Sequence, residues 1–163
     1  MTLSCLTEKR MWLFGLALLA PAVLHATLAP GGDPDFSGTW RLDPERSELR
    51  AMPAAHPSLL KIKQEGTRIH CFVIRKEEEP ALNWDFSSDR TESYSKAPDT
   101  DMRTIAKWEG AALLINTIVN ERSRSYTQMD RWKLSRDGRT LTVTRQIVSR
   151  HGEMESVLVF NRQ

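Results

Sequence analysis

Cysteine is scarce in this chain: two residues in 163, of which Cys5 sits ahead of an N-terminal apolar run. Once that run is removed, Cys71 is alone, no intramolecular disulfide can form, and about 137 residues must be held by their own core. An excess of one charge sign is also lacking. The 23 basic and 21 acidic residues leave a net charge of +2, which gives no whole-molecule field for nucleic acid or an anionic membrane. Glycine and proline number 8 each, aromatics are 7%, and no tract is low in complexity. Collagen-like, repeat and disordered chains are thereby excluded. The sequence holds no Gly-rich phosphate loop, nucleophile elbow or Cys/His nucleophile motif; no cofactor is expected, and catalysis would rest only on the polarity of Asp130 and Arg145. His56, His70 and His151 share no ligand spacing, and no metal site is expected.

What is present first is a leader. Lys9 and Arg10 precede the apolar run Met11–Ala20, which ends at Pro21. The run is shorter than the ~20 residues a span needs and matches a secretory signal peptide, with cleavage after Ala26, or alternatively at Ala20-Pro21-Ala22. The expected organisation is a signal peptide over 1–26, a Pro/Gly/Asp-rich linker over 27–35 and one domain over 36–163. The product is expected to be periplasmic or secreted and to keep no membrane anchor.

The rest reads as strands. Short apolar-polar alternations are separated by Glu65-Gly66, Glu109-Gly110, Asp137-Gly138 and His151-Gly152, each a tight-hairpin signal because glycine takes positive φ without strain. Strands are expected near 36–42, 58–64, 67–76, 90–95, 102–108, 111–119, 126–135, 140–149 and 153–162. Segment 77–89 is not assigned, although Leu82–Phe86 alternates as a short strand does. No helical period follows the leader. The fold class is all-β: an up-and-down antiparallel barrel of about 8 to 10 strands.

Two-residue turns also fix register. Asp137-Gly138 sets Leu134 opposite Leu141, Trp132 opposite Val143 and Asp130 opposite Arg145. His151-Gly152 sets Leu141 opposite Arg162, Val143 opposite Phe160, Arg145 opposite Leu158 and Ile147 opposite Ser156. Glu109-Gly110 sets Trp108 opposite Ala111, Ala106 opposite Leu113, Thr104 opposite Ile115 and Met102 opposite Thr117. The longer loop from Asn120 to Ser125 allows Val119 opposite Tyr126, hence Leu113 opposite Trp132. One inward face results, apolar at one end and polar at the other, which suits a barrel with a plugged end and an open mouth better than a sandwich.

Phe36-Ser-Gly-Thr-Trp-Arg-Leu-Asp-Pro-Glu-Arg-Ser47 contains the Gly-x-Trp of the lipocalin first strand. With Trp132–Gly138 and Leu141–Val143, it resembles small exported bacterial lipocalin-like (calycin-type) proteins of generally unassigned function. The resemblance spans 36–162 and implies that Trp40 plugs the closed end with Arg162 over its ring, a cation–π contact of ~1 to 2 kcal/mol when desolvated. Trp108, Trp132 and Phe160 would fill the same end. A lipocalin usually adds a helix outside the barrel; here a minimal barrel without that C-terminal helix is expected.

The candidate mouth site comprises Thr104, Thr117, Tyr126, Gln128, Asp130, Arg145 and Ser156. Asp130 and Arg145 stand out as charges on an apolar face, where they must pair. They form either a structural salt bridge or an anchor for a ligand's polar group. Cys71, in Ile69–Ile74, is expected to be a buried small apolar side chain. The acidic stretch Glu77–Glu79, Asp85, Asp89, Glu92 and the later basic residues, including outward Arg131 and Lys133, read as solvated strand surface. Two functions follow. One is binding of a small, largely apolar or amphipathic molecule with a polar group in the mouth, which predicts a connected lumen above ~300 Å³. The other is a ligand-free interaction domain with a filled interior. Oligomeric state is not encoded in any of these patterns.

Overall fold

In a computed structural model, residues 32–50, 56–75 and 81–163 are described, and they form ten strands and no helix. The strands are β1 (Gly38–Leu42), β2 (Leu59–Glu65), β3 (Arg68–Ile74), β4 (Leu82–Ser87) and β5 (Ser93–Ala97). They continue as β6 (Thr100–Glu109), β7 (Ala112–Glu121), β8 (Arg124–Leu134), β9 (Thr140–Ser149) and β10 (Gly152–Arg162). The expected leader and residues 27–31 of the linker lie outside the described residues, as does Glu77–Glu79.

The strands make one antiparallel sheet in the order β4-β3-β2-β1-β10-β9-β8-β7-β6-β5. It is an up-and-down meander that β1 joins to β10, with Trp40 opposite Arg162. The fold is thus the all-β barrel expected from the alternation, and the unassigned Leu82–Phe86 lies in β4. The two edge strands meet to close it without a backbone ladder. Ser95 Oγ accepts from the Asp85 amide at 2.9 Å and donates to its carbonyl at 3.0 Å, while Ser93 Oγ accepts from the Ser87 amide at 3.2 Å.

Period-two burial is plainest in β6, which buries Thr100, Met102, Thr104 and Ala106 and turns Asp101, Arg103, Ile105 and Lys107 outward. Such alternation gives a sheet with one dry and one wet face. Each wholly buried large aliphatic or aromatic side chain on the dry face contributes ~1.5 to 3 kcal/mol.

Two registers differ from expectation. In β6–β7, Trp108 faces Leu113, Ala106 faces Ile115, Thr104 faces Thr117 and Met102 faces Val119. In β9–β10, Leu141 faces Phe160, Val143 faces Leu158, Arg145 faces Ser156 and Ile147 faces Met154. The cause is where glycine sits in the turn. Gly110, at φ 57°, is the first central residue, with Ala111 second, so φ is positive only at the first position. That is the type II′ pattern rather than the type I′ that Glu-Gly suggests. In the last hairpin the turn is Arg150-His151, and Gly152 follows it at φ 117°. Both shifts are by two residues, so every side chain keeps its face and only the rows slide. The β7–β8 and β8–β9 registers are as expected.

The closed end is built on the first strand. Trp40 is fully buried and its Nε1 donates to the Phe36 carbonyl at 2.8 Å. Arg162 Cζ lies 4.3 Å from the Trp40 ring centroid, while its Nη1 and Nε donate to the carbonyls of Ser37 and Gly138 at 2.6 and 2.8 Å. Arg162 is exposed, so the contact is a solvent-side one worth ~0.5 to 1 kcal/mol, not the desolvated value. Phe36 stacks on Trp108 at 5.7 Å and meets Trp132 edge-on at 5.6 Å. Phe160 is buried near them, and Trp108 is half-buried.

Candidate functional site

The other end, where β2, β4, β6, β8 and β10 begin and β3, β5, β7 and β9 end, is the mouth. Below it, β8 and β9 bring Asp130 and Arg145 side by side on the inner face. Arg145 Nε donates to Asp130 Oδ1 at 2.7 Å and Nη2 to Oδ2 at 2.6 Å, a two-pronged pair with strong, charge-assisted geometry. Gln128 Nε2 donates to the same Oδ2 at 3.1 Å, and Trp132 Nε1 approaches it at 3.4 Å. Asp130 is thereby saturated. Burial pulls the Arg145 guanidinium toward its neutral form, but the Asp130 charge and hydrogen bonds outweigh burial and hold it above its ordinary value. As a salt bridge the pair carries no net charge.

Not every polar atom here is used. Arg145 Nη1, Tyr126 Oη and Gln128 Oε1 make no hydrogen bond to any described residue, and all three side chains line an interior cavity. Its remaining walls are mainly apolar, among them Leu60, Val73, Trp84, Met102 and Val119. The open volume is about 60 Å³. That is space for a few waters, short of the ~300 Å³ expected of a ready ligand pocket.

Over the cavity the mouth is charged. Arg75, just past β3, donates to Glu121 Oε1 at 3.1 Å, and Arg124 donates to Oε2 at 3.1 Å. Glu121 is buried, with its side chain 11% exposed against 19% for Arg75. Beneath them burial pushes the Tyr126 hydroxyl up, with the Glu121 charge adding to it, so the phenol is neutral and able to donate.

Of the expected mouth residues, Thr117, Tyr126, Gln128 and Arg145 line the cavity. Thr104 is bonded into the wall, its hydroxyl 3.1 Å from that of Thr117 and accepting from Trp84 Nε1 at 2.9 Å. Ser156 accepts the Arg50 amide at 3.3 Å. Asp130 acts only through its partners. Arg75, Glu121 and Trp84 were not among the expected site residues. The alternation through Leu82–Phe86 is the signal that could have found Trp84; no local pattern links Arg75 with Glu121. Cys71 is buried and its thiol is pushed up by that burial. Among the described residues no cluster of His, Cys, Asp and Glu could hold a metal ion. A larger concavity, about 570 Å³, is an open trough on the outer face over Ile105, Leu114, Ile118 and Met129.

No protein-family model and no curated protein matches the sequence. Solved structures do match in fold. A secretory abundant heat soluble protein from Ramazzottius varieornatus is similar at 16% identity and TM-score 0.58, over 78% of this chain and 94% of that one. Apo lipid binding protein 8 of Caenorhabditis elegans is similar at 17% identity and TM-score 0.57, over 78% and 95%. Zebrafish ileal bile acid-binding protein with cholic acid is similar at 16% identity and TM-score 0.53, over 78% and 98%. At these identities the likeness is one of fold, and the fold is calycin-like.

Proposed function

We propose that this barrel, exported after removal of its leader, binds a small amphipathic molecule whose uncharged polar group seats on Arg145 and Tyr126. The observation that carries the reading is a set of polar atoms, Arg145 Nη1, Tyr126 Oη and Gln128 Oε1, that make no hydrogen bond to any described residue and whose side chains line a mainly apolar cavity. Ligand pockets have that composition: apolar walls and a few convergent polar groups. Because Asp130 neutralises Arg145, a carboxylate finds no unpaired cation inside and would lose its hydration without full return. A hydroxyl, carbonyl or amide pays no such cost. Two of the similar barrels carry lipid or bile acid binding in their names, which supports the apolar half of the reading. Binding requires the cavity to widen beyond about 60 Å³. Met102, which lines it, is the side chain best suited to move.

Displacement of a neutral, environment-sensitive dye by long-chain alcohols and by the matching acids tests the reading. The small cavity favours a second one, an interaction domain with a filled interior acting through its outer face. Absence of dye binding and of displacement by any amphipath would put that second reading first.

A further inference from the structure

The outer face of β6 to β9 is less polar than a solvated strand surface needs to be. Ile105 is 44% exposed there, and Leu114, Ile118, Met129 and Val148 are half-buried. The first four of these floor the open trough of about 570 Å³. A contiguous apolar patch rimmed by polar groups marks a contact surface. The charges along the trough are not all neutralised within the molecule. Arg103 lies 3.5 Å from Glu92, and Arg131 is paired with Glu109. That leaves Lys107 on β6 and Glu155 on β10, which both line the trough and are both exposed. Neither side chain makes an ion pair or hydrogen bond to any described residue. Their signs are opposite, and they stand two strands to either side of β8.

We propose that the outer face of β6 to β10 is the contact surface for a second copy of this chain, in a two-fold dimer whose axis lies over β8 and whose rim joins Lys107 of each copy to the partner's Glu155. A two-fold contact joins one patch to itself, so turning the sheet over about β8 sets β6 on β10 and β7 on β9. The registers then decide what meets. Ile118, Thr127 and Val148 share one outward row, and Leu114, Arg131 and Thr144 share another. Ile118 is thereby set against the partner's Val148, Leu114 against the partner's Thr144, and Met129 beside the axis against the partner's Met129. A methionine side chain adapts readily to such a seam. Glu155 lies in the row of Gln146, Met129, Asn116 and Ile105, and Lys107 lies one outward step along, about 7 Å. The four-carbon stem of a lysine covers that offset. Arg131 brings no like-charge conflict to the axis, because Glu109 of its own copy neutralises it. The proposal does not rest on the lumen: every residue it uses faces outward, and binding inside the barrel holds or fails without it.

Sedimentation velocity tests the dimer. Wild type is expected to pass from monomer to dimer between roughly 1 and 200 μM. Lys107→Glu and Glu155→Lys, both at exposed positions, should each weaken the dimer at least about tenfold, since like charges then oppose one another twice per dimer. An equimolar mixture of the two variants should associate as wild type does, because each rim contact between the unlike copies again joins opposite charges. Ile118→Asp removes the apolar contact instead and should leave a monomer with an unchanged oligomeric response to either charge reversal. Melting curves close to wild type confirm that the variants are folded. A wild type that stays monomeric throughout the range overturns the proposal, and the trough is then left for an amphipathic small molecule or a different protein. A dimer that neither charge reversal weakens, or a mixture of the two variants that does not recover, overturns it as well.

Discussion

Arg145 grips both carboxylate oxygens of Asp130, at 2.7 and 2.6 Å, from the neighbouring strand of the same inner face. A pair with the carboxylate side chain fully buried and the guanidinium 10% exposed is costly to break and inexpensive to replace. Asp130→Ala strands the guanidinium and is expected to destabilise the barrel by ~3 to 5 kcal/mol. Asp130→Leu combined with Arg145→Met should recover much of that loss, since well-packed apolar residues substitute for buried ion pairs. Urea melts of the single and double variants decide it. A double variant no more stable than Asp130→Ala would mean that the pair is needed for the fold itself.

Trp40 anchors the closed end, and Trp40→Ala is expected to cost ~3 to 5 kcal/mol. Gly38 is tied to it: its φ is 140°, and an added Cβ would lie 2.8 Å from Arg162 Nη1. Gly38→Ala should therefore destabilise by ~1 to 3 kcal/mol through backbone strain and push Arg162 off the Trp40 ring. Denaturant melts read the first, and a change in tryptophan emission reads the second. A Trp40→Ala loss under about 1 kcal/mol would place the ring at the surface.

Alkaline pH should weaken the fold. Burial raises both the Cys71 thiol and the Tyr126 hydroxyl above their ordinary values. The unfolded chain therefore releases these protons first, and the stability they contribute is intact below ~8.5 and falls as pH rises beyond it. Cys71→Ala should flatten the early part of that fall. In the native state Cys71 should resist thiol reagents until the protein unfolds. Midpoints of urea melts from pH 7 to 11, and labelling rates with and without denaturant, test both.

Much of this is legible in the sequence itself. Alternation with glycine turns specified an all-β meander, and the Asp137-Gly138 hairpin alone placed Asp130 against Arg145. The rows on either side slid by two residues because a glycine marks a turn without fixing its own place in it: Gly110 opens its turn, whereas Gly152 follows one. Inward and outward faces survived that slide because a strand repeats every two residues. Arg75 and Glu121 were illegible for a different reason: they meet through closure of the whole sheet, and nothing local to either marks the other. The 60 Å³ cavity was equally out of reach, since it depends on how side chains from many strands interdigitate.

The proposed leader predicts a processed protein. N-terminal sequencing of material from cell fractions should find the mature chain beginning near Thr27, in a soluble fraction outside the cytoplasm. Full-length chain recovered in membranes would contradict the export reading.

The most direct test of the proposed binding site is one titration, repeated on two proteins. A neutral dye bound to wild-type protein is displaced by a long-chain alcohol and, separately, by the acid of the same length at pH 8; both are then run on Tyr126→Phe. The alcohol should bind at least about tenfold more tightly than the acid, and Tyr126→Phe should weaken the alcohol by roughly twofold to tenfold while leaving the melting curve nearly in place. An acid that binds better than its alcohol, or an alcohol indifferent to the loss of the Tyr126 hydroxyl, would contradict a lumen built around a neutralised Arg145.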